Sequence, residues 1–357
     1  MDIISTNVMP LGKEEIAIGS ADTPVPQAPE GVMLFSKCRD AIFMAAKHCP
    51  AAGMRVLLPA YTCATTYMPF EELGWSLHFY PITRALRING KAFLELLKAV
   101  RPSMVLAPSY YGADLNDEEL ELLRAAKREG AFVLEDLTQS VFSAQNADCV
   151  DAFTGSIRKW FPMPDGAFLR GKNLPQDLDA GLPEDTRFLP RERGAMAAFA
   201  HYLKTGDREL LAASHQLEAD ARAPYVHPCR MSDFSRRIYA AQDQEANNRQ
   251  RMENCRYLYE RLKDCKNCKV VWNDISEMTS GPLWFPMYVP DKKRFRVEVA
   301  AAAGFTAPGL WPVESPDVLV DDDAEYIYHH IVGVTCGQMY GQDDMDRIAS
   351  AIENWKV

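Results

Sequence analysis

The sequence predicts an α/β fold: a mostly parallel sheet flanked by helices, followed by a smaller C-terminal α+β domain. Three observations predict it. Short apolar runs alternate with helical patterns between residues 54 and 136. A long polar helix candidate opens at Ser232. A tail of mixed strand and helix patterns runs from Val270.

Taken in order, residues 1–30 read as an irregular arm, with Pro24, Pro26 and Pro29 close together. From Val32 the pattern turns helical, and Ala41, Ile42, Met44, Ala45 and Ala46 form its apolar cluster until Pro50 and Gly53 break it. Met54–Pro59, Leu77–Tyr80, Ser103–Pro108 and Ala131–Asp136 are buried strand candidates. Ala92–Val100 and Glu118–Glu129 have helical spacing between them. In folds of this class, sites gather at the carboxyl ends of the strands.

Residues 171–230 are rich in Pro, Gly and Asp, with one helical stretch near Met196–Leu203. Ser232 is a plausible N-cap for a helix running to Leu262, long enough to link two domains. Beyond it, Trp284–Val289 reads as a strand, Phe295–Ala303 and Asp343–Trp355 as helices, and Pro308–Gly309 as a turn. The expected organisation is an arm at 1–30, a large domain at 31–240 and a small domain at 241–357.

Composition excludes some classes. At 47% apolar and 25% charged residues, neither disorder nor a fibrous repeat fits. The net charge of −10 disfavours nonspecific nucleic-acid or anionic-lipid binding, because the whole-molecule field repels phosphate. Nine scattered cysteines imply reduced thiols and a cytoplasmic location. No basic stretch followed by an apolar core opens the chain, and no apolar run reaches the roughly 18 residues of a membrane span.

The segment from Leu134 to Gly166 carries the most chemistry. A strand ends in Glu135-Asp136, and Lys159 follows 23 residues later, within Gly155-Ser156-Ile157-Arg158-Lys159-Trp160. A strand-end carboxylate can hold a protonated ring nitrogen, and a lysine can present its amine to an aldehyde. Together they suit pyridoxal phosphate (PLP), whose charged ring is an electron sink. A capped strand and a surface lysine would give the same spacing. Leu34-Phe35-Ser36-Lys37-Cys38 leads into the first strong helix, whose free amides could hold a phosphate with help from the Ser36 hydroxyl. An ordinary serine cap is the alternative.

Several stretches resemble the DegT/DnrJ/StrS-type aminotransferases, fold-type I PLP enzymes that act on nucleotide-linked sugars. They are LFSKCRDAIFMAA, LLPAYTCATTYMPFEELGWSLHFYPI, VLEDLTQS, GSIRKWFPMPDGAFLRG, RMSDFSRRIYAAQDQEANNRQRMENCRYL, LWFPMYV and VTCGQMYGQDDMDRI. The similarity covers nearly the whole chain from residue 31. It implies that Lys159 forms the Schiff base and moves the substrate proton, that Asp136 pairs with the ring nitrogen, and that Gln139 meets the ring hydroxyl. The amides of Lys37 and Cys38 would hold the phosphate, with Thr154 or Ser156 adding a hydroxyl. The family's ring-stacking aromatic matches Cys63, which leaves Tyr61 as the substitute. The resemblance also implies a homodimer, an amino-acid donor such as glutamate and a keto-sugar acceptor.

Two positions depart from the family pattern. Lys37 stands for a glycine and could offer its charge to the phosphate. Pro228 stands for an asparagine that reaches the phosphate across the dimer, while Arg230 matches. Lys159 argues against the family's dehydratase branch, which has histidine there. Tyr111, Trp311 and Tyr340 are weaker pocket candidates, with core packing as their alternative. Other PLP reactions (elimination, decarboxylation, amino-acid transamination) would use the same lysine and aspartate, and a non-catalytic protein could keep the same fold.

The remaining motifs read as structural. Cys265-Lys266-Asn267-Cys268 is one CxxC, half of what a zinc site needs. His329 and His330 lie in an apolar-flanked strand candidate, Asp321-Asp322-Asp323 is a loop or helix start, and Asp114 and Asp117 are too few for calcium. No metal is expected.

Overall fold

The computed structural model describes residues 9–221, 226–305 and 311–356. The expected α/β layer is present. Seven strands form one sheet: β1 (Val32–Phe35), β2 (Arg55–Pro59), β3 (Ser76–Tyr80), β4 (Met104–Pro108), β5 (Phe132–Asp136), β6 (Ala152–Gly155) and β7 (Ala167–Gly171). They lie in the order β1-β7-β6-β5-β4-β2-β3. From β6 through β3 all neighbours are parallel, and β7 runs antiparallel to both β6 and β1.

The central strands are unbroken apolar runs because helices cover both faces of a parallel sheet. Leu57, Leu58, Val105, Leu106, Val133 and Leu134 are fully buried. Parallel pairing also puts all the carboxyl ends on one side. The register sets Pro108 beside Asp136 and Asp136 beside Thr154. The helices Cys38–Lys47, Ala64–Glu72, Gly90–Val100 and Asp117–Arg128 connect the strands. Asp117–Arg128 starts at a full capping box between Asn116 and Glu119.

Five expectations change. Val32–Phe35, expected to open the helical pattern, is strand β1, held by its pairing with β7, and the helix starts at Cys38. The arm contains a helix, Lys13–Gly19, which packs against the helix Asp233–Ala240. Residues 171–230 hold two helices rather than one stretch, Phe188–Thr205 and Arg208–Ala221, packed on each other. Buried Ser214 and Glu218 line the inner face of the second and mask its apolar period.

The helix expected to run unbroken from Ser232 to Leu262 is two. Ser232 caps Asp233–Ala240 through the Ser235 amide (3.2 Å). Asp243 then starts a new helix, Gln244–Leu262, by accepting from the Ala246 amide (2.9 Å).

His329 and His330 end the helix Asp322–His330 instead of lying in a strand. Asp321 caps its start, and acidic first-turn and basic last-turn residues suit the helix dipole. The turn expected at Pro308–Gly309 lies outside the described residues.

The C-terminal part adds a three-stranded antiparallel sheet, β10-β9-β8, from Lys269–Val270 (β8), Phe285–Tyr288 (β9) and Ile331–Val334 (β10). The helix Gln342–Glu353 packs on Gln244–Leu262. Among the described residues, no helix is long and apolar enough to cross a membrane.

Candidate active site

A cavity of about 470 Å³ opens at the carboxyl ends of the sheet. Its wall includes Lys159, Asp136, Gln139, Ser156, Lys37, Cys38, Tyr61 and Trp311. Thus eight of the residues singled out from the sequence meet in one place. Ser36, Thr154, Tyr111, Arg230 and Tyr340 are not in that wall.

Asp136 reaches the cavity as the last residue of β5, and Lys159 ends the short 3-10 turn Ile157–Lys159 after β6. Burial pushes the Asp136 carboxyl up, while Thr138 hydrogen bonds and the nearby Lys159 amine pull it down. Burial lowers the Lys159 amine, opposed by Cys63, Cys38 and Asp136. A buried lysine so placed holds a larger fraction of neutral, nucleophilic amine than one at the surface.

Gly166 closes the lysine loop at φ +143, with Met163 and Met231 methyls 3.0 Å from where a Cβ would stand. Its amide donates to the Ser36 carbonyl (2.8 Å), joining the loop to the segment before the first long helix. Gln338 of the C-terminal part donates to the Trp160 carbonyl (2.6 Å), and the Arg251 guanidinium lies 4.6 Å above the Trp160 ring. The small sheet's neighbourhood therefore braces the lysine loop.

Thr138 is a cavity residue that motif reasoning passed over. Its amide donates to Asp136 Oδ1 (2.8 Å), and its hydroxyl accepts from the Ser156 amide (3.1 Å) and donates to Cys38 Sγ (3.5 Å). Its carbonyl takes the Trp160 indole N–H (3.1 Å). One side chain thus ties β5, the lysine loop and the helix start together. The only signal in the sequence was its position two residues after the strand-end aspartate.

Thr154 sits behind the wall, donating to the Phe168 carbonyl (2.8 Å), with the Cys38 thiol 3.6 Å away. Of the two hydroxyl candidates, Ser156 is the one that lines the cavity. The Ser36 hydroxyl is fully buried and has no hydrogen-bond partner.

Lys37 departs from its expected contact. Its amine pairs with Asp185 and, at 3.3 Å, with Asp40, and it lies 5.1 Å over the Phe188 ring. Its charge is thereby committed to carboxylates. The Arg158 guanidinium lies 5.2 Å over the same ring and pairs with Glu192 (2.8 Å), so Phe188 enters the cavity wall beneath two cations. Arg230 pairs with Asp233 (2.6 Å) and Glu184 (3.1 Å).

Tyr61 is buried, with its ring 4.7 Å from Trp311 and 5.3 Å from Tyr328, and its hydroxyl 3.1 Å from that of Tyr111. Tyr111 adopts φ +48, and Gly112 follows at φ +83, where a Cβ would sit 2.3 Å from the Ser280 carbonyl. Only glycine permits that close approach. Cys63 lines the cavity and precedes the helix Ala64–Glu72. Among the described residues, no group of three or more potential metal ligands occurs.

No family model matches the chain, and no curated protein matches its sequence. Solved structures match its fold. The sugar aminotransferase CalS13 from Micromonospora echinospora has a TM-score of 0.69 at 14% identity, covering 99% of this chain and 100% of its own. A DegT DnrJ EryC1 StrS aminotransferase from Brucella abortus gives 0.61 at 15%, over 90% of this chain and 84% of that one. The ntda structure from Bacillus subtilis, with cofactor PMP bound, gives 0.64 at 14%, over 90% and 72%. With its seven-stranded, mostly parallel sheet and its strand-end cavity, the chain has the fold-type I architecture of these aminotransferases.

Proposed function

We propose that the protein is a PLP-dependent aminotransferase that moves an amino group from an amino-acid donor, such as glutamate, to a keto-sugar or similar carbonyl acceptor. The observation that carries this reading is the meeting of Lys159 and Asp136 in one cavity at the strand ends. The likeness to sugar aminotransferases supports the choice of acceptor class. We read the working form as a homodimer, following the sequence resemblance.

The residues present fit the cofactor. Gln139 lines the cavity and is buried beside Tyr111, and its amide keeps hydrogen-bonding capacity that a ligand could use. The start of the helix Cys38–Lys47 also reaches the cavity, offering amides and a favourable dipole to a phosphate. When bound, PLP supplies an aldehyde and a protonated ring that draws electrons from the substrate carbon.

The chain's own work then divides among few residues. Asp136 would pair with the protonated ring nitrogen, whose charge would oppose the upward push of burial on its carboxyl. Gln139 meets the ring hydroxyl. The amides at the head of Cys38–Lys47 and the Ser156 hydroxyl hold the phosphate. The Lys159 amine would hold the cofactor, and its neutral form would serve as the base that takes the proton from the donor's α-carbon. Trp284, Trp311 and Phe188 supply apolar wall to the cavity in which that proton would move.

A half-reaction screen tests this. Purified protein loaded with PLP is mixed with single amino acids, and conversion of the cofactor to its amine form is followed by absorbance. Conversion by glutamate or another donor supports the reading. No conversion with any amino acid removes the aminotransferase and leaves only the fold.

A further inference from the structure

Cys265 and Cys268 take no part in the cavity and are the one cysteine pair in the sequence spaced as CxxC. Lys266 and Asn267 form the corner of a tight turn between the helix Gln244–Leu262 and β8. A turn of this kind brings its end residues within about 7 Å, close to the Cα span a disulfide bridges. Asn267 clamps the turn by donating to the carbonyls of Ile352 (2.9 Å) and Glu353 (3.0 Å). Cys265 is partly exposed, Cys268 is buried, and both are free thiols. With only two sulfurs and no cluster of three ligands among the described residues, the pair is not a metal site.

We propose that Cys265 and Cys268 form a thiol–disulfide exchange site for low-molecular-weight disulfides, with Cys265 as the attacking sulfur and Cys268 as the resolving one. The Cys265 thiolate attacks one sulfur of the incoming disulfide, forms a mixed disulfide and releases one thiolate. Cys268 loses its proton and attacks Cys265 Sγ, expelling the second thiol and leaving the Cys265–Cys268 disulfide. The dithiol is oxidised by two electrons, and the small disulfide is reduced to two thiols.

The division of labour follows from the surroundings. Cys265 Sγ sits against the Cys268 thiol and the backbone amides of Asn267 and Cys268, which draw its pKa down to about 6 despite burial and the facing Glu353 carboxylate. The same proximity and its own burial push Cys268 up. A low-pKa, accessible thiol beside a protonated, sheltered one is the arrangement of an attacking and a resolving cysteine.

The test uses the full chain equilibrated with oxidised and reduced glutathione, quenched with acid and mapped by peptide mass. The expected product is a peptide joining Cys265 to Cys268, two hydrogens lighter and restored by reduction. Cys268→Ser is expected to stop at one glutathione on Cys265, and Cys265→Ser to give neither product. Iodoacetamide labelling of wild-type Cys265 is expected to level off near neutral pH, whereas Cys49, whose thiol is raised by burial, keeps rising through pH 9. A fully reduced pair at every glutathione ratio, a disulfide joining other cysteines, or a Cys265 profile that rises like that of Cys49 overturns the proposal.

Discussion

Lys37 and Asp185, 148 residues apart, form a buried ion pair at the head of the helix Cys38–Lys47. The pair fixes where the segment before Phe188–Thr205 enters, because Asp185 Oδ1 also accepts from the Arg187 and Phe188 amides (3.0 and 2.9 Å). It also sets Phe188 against the cavity.

Asp185→Asn keeps the amide contacts and removes the charge. A buried cation that loses a partner is costly, so a stability loss on the order of 3 kcal/mol is expected from urea denaturation. An unchanged midpoint would show that Asp40 alone satisfies Lys37.

Thr138→Val tests the hydroxyl that links Cys38 and Ser156. The shape is kept while a buried amide loses its acceptor, so stability falls by about 1 kcal/mol. Fluorescence titration with PLP is expected to show several-fold weaker binding, because the lysine loop and helix start lose their tie. Wild-type affinity would separate Thr138 from the cofactor site.

Glu135 faces away from the cavity on β5, with one oxygen bonded to Ser109 (2.6 Å) and the other unpartnered. Burial raises its carboxyl from 4.5 to about 7. The folded chain therefore binds this proton more tightly than the unfolded chain does. Stability from Glu135 is full below about pH 4.5 and is lost as pH rises through 7. Glu135→Gln should flatten that fall by about 3 kcal/mol across the window, measured as urea midpoints at pH 4.5 and 8. Parallel wild-type and variant profiles would contradict the shift.

Much of the architecture was readable for one reason: a parallel sheet covered on both faces leaves unbroken apolar runs. Val105, Leu106 and Ala107 announce β4, and the first polar residues after such a run, Glu135 and Asp136, announce the end of β5. Asp136 and Lys159 stood out because their chemistry is unusual at those places.

What stayed hidden depends on distant partners. Thr138 acquires its role from Cys38, 100 residues away, and Phe188 reaches the cavity wall beneath Lys37 and Arg158. The helix Arg208–Ala221 hides its inner face behind buried Ser214 and Glu218. The break before Gln244–Leu262 rests on a single cap, Asp243, set within polar sequence that reads as helical on both sides. Lys37 illustrates the same limit: its position suggested a phosphate contact, and Asp40, one helical turn on, together with Asp185, remote from any motif, claims its charge instead.

Whether Lys159 carries the cofactor is read out by reductive trapping. The protein is incubated with PLP, reduced with borohydride and mapped by peptide mass, beside Lys159→Ala. One phosphopyridoxyl group per chain is expected, on the Lys159 peptide, and none in the variant. No fixed cofactor in the wild type, or equal labelling of other lysines in both proteins, would contradict it.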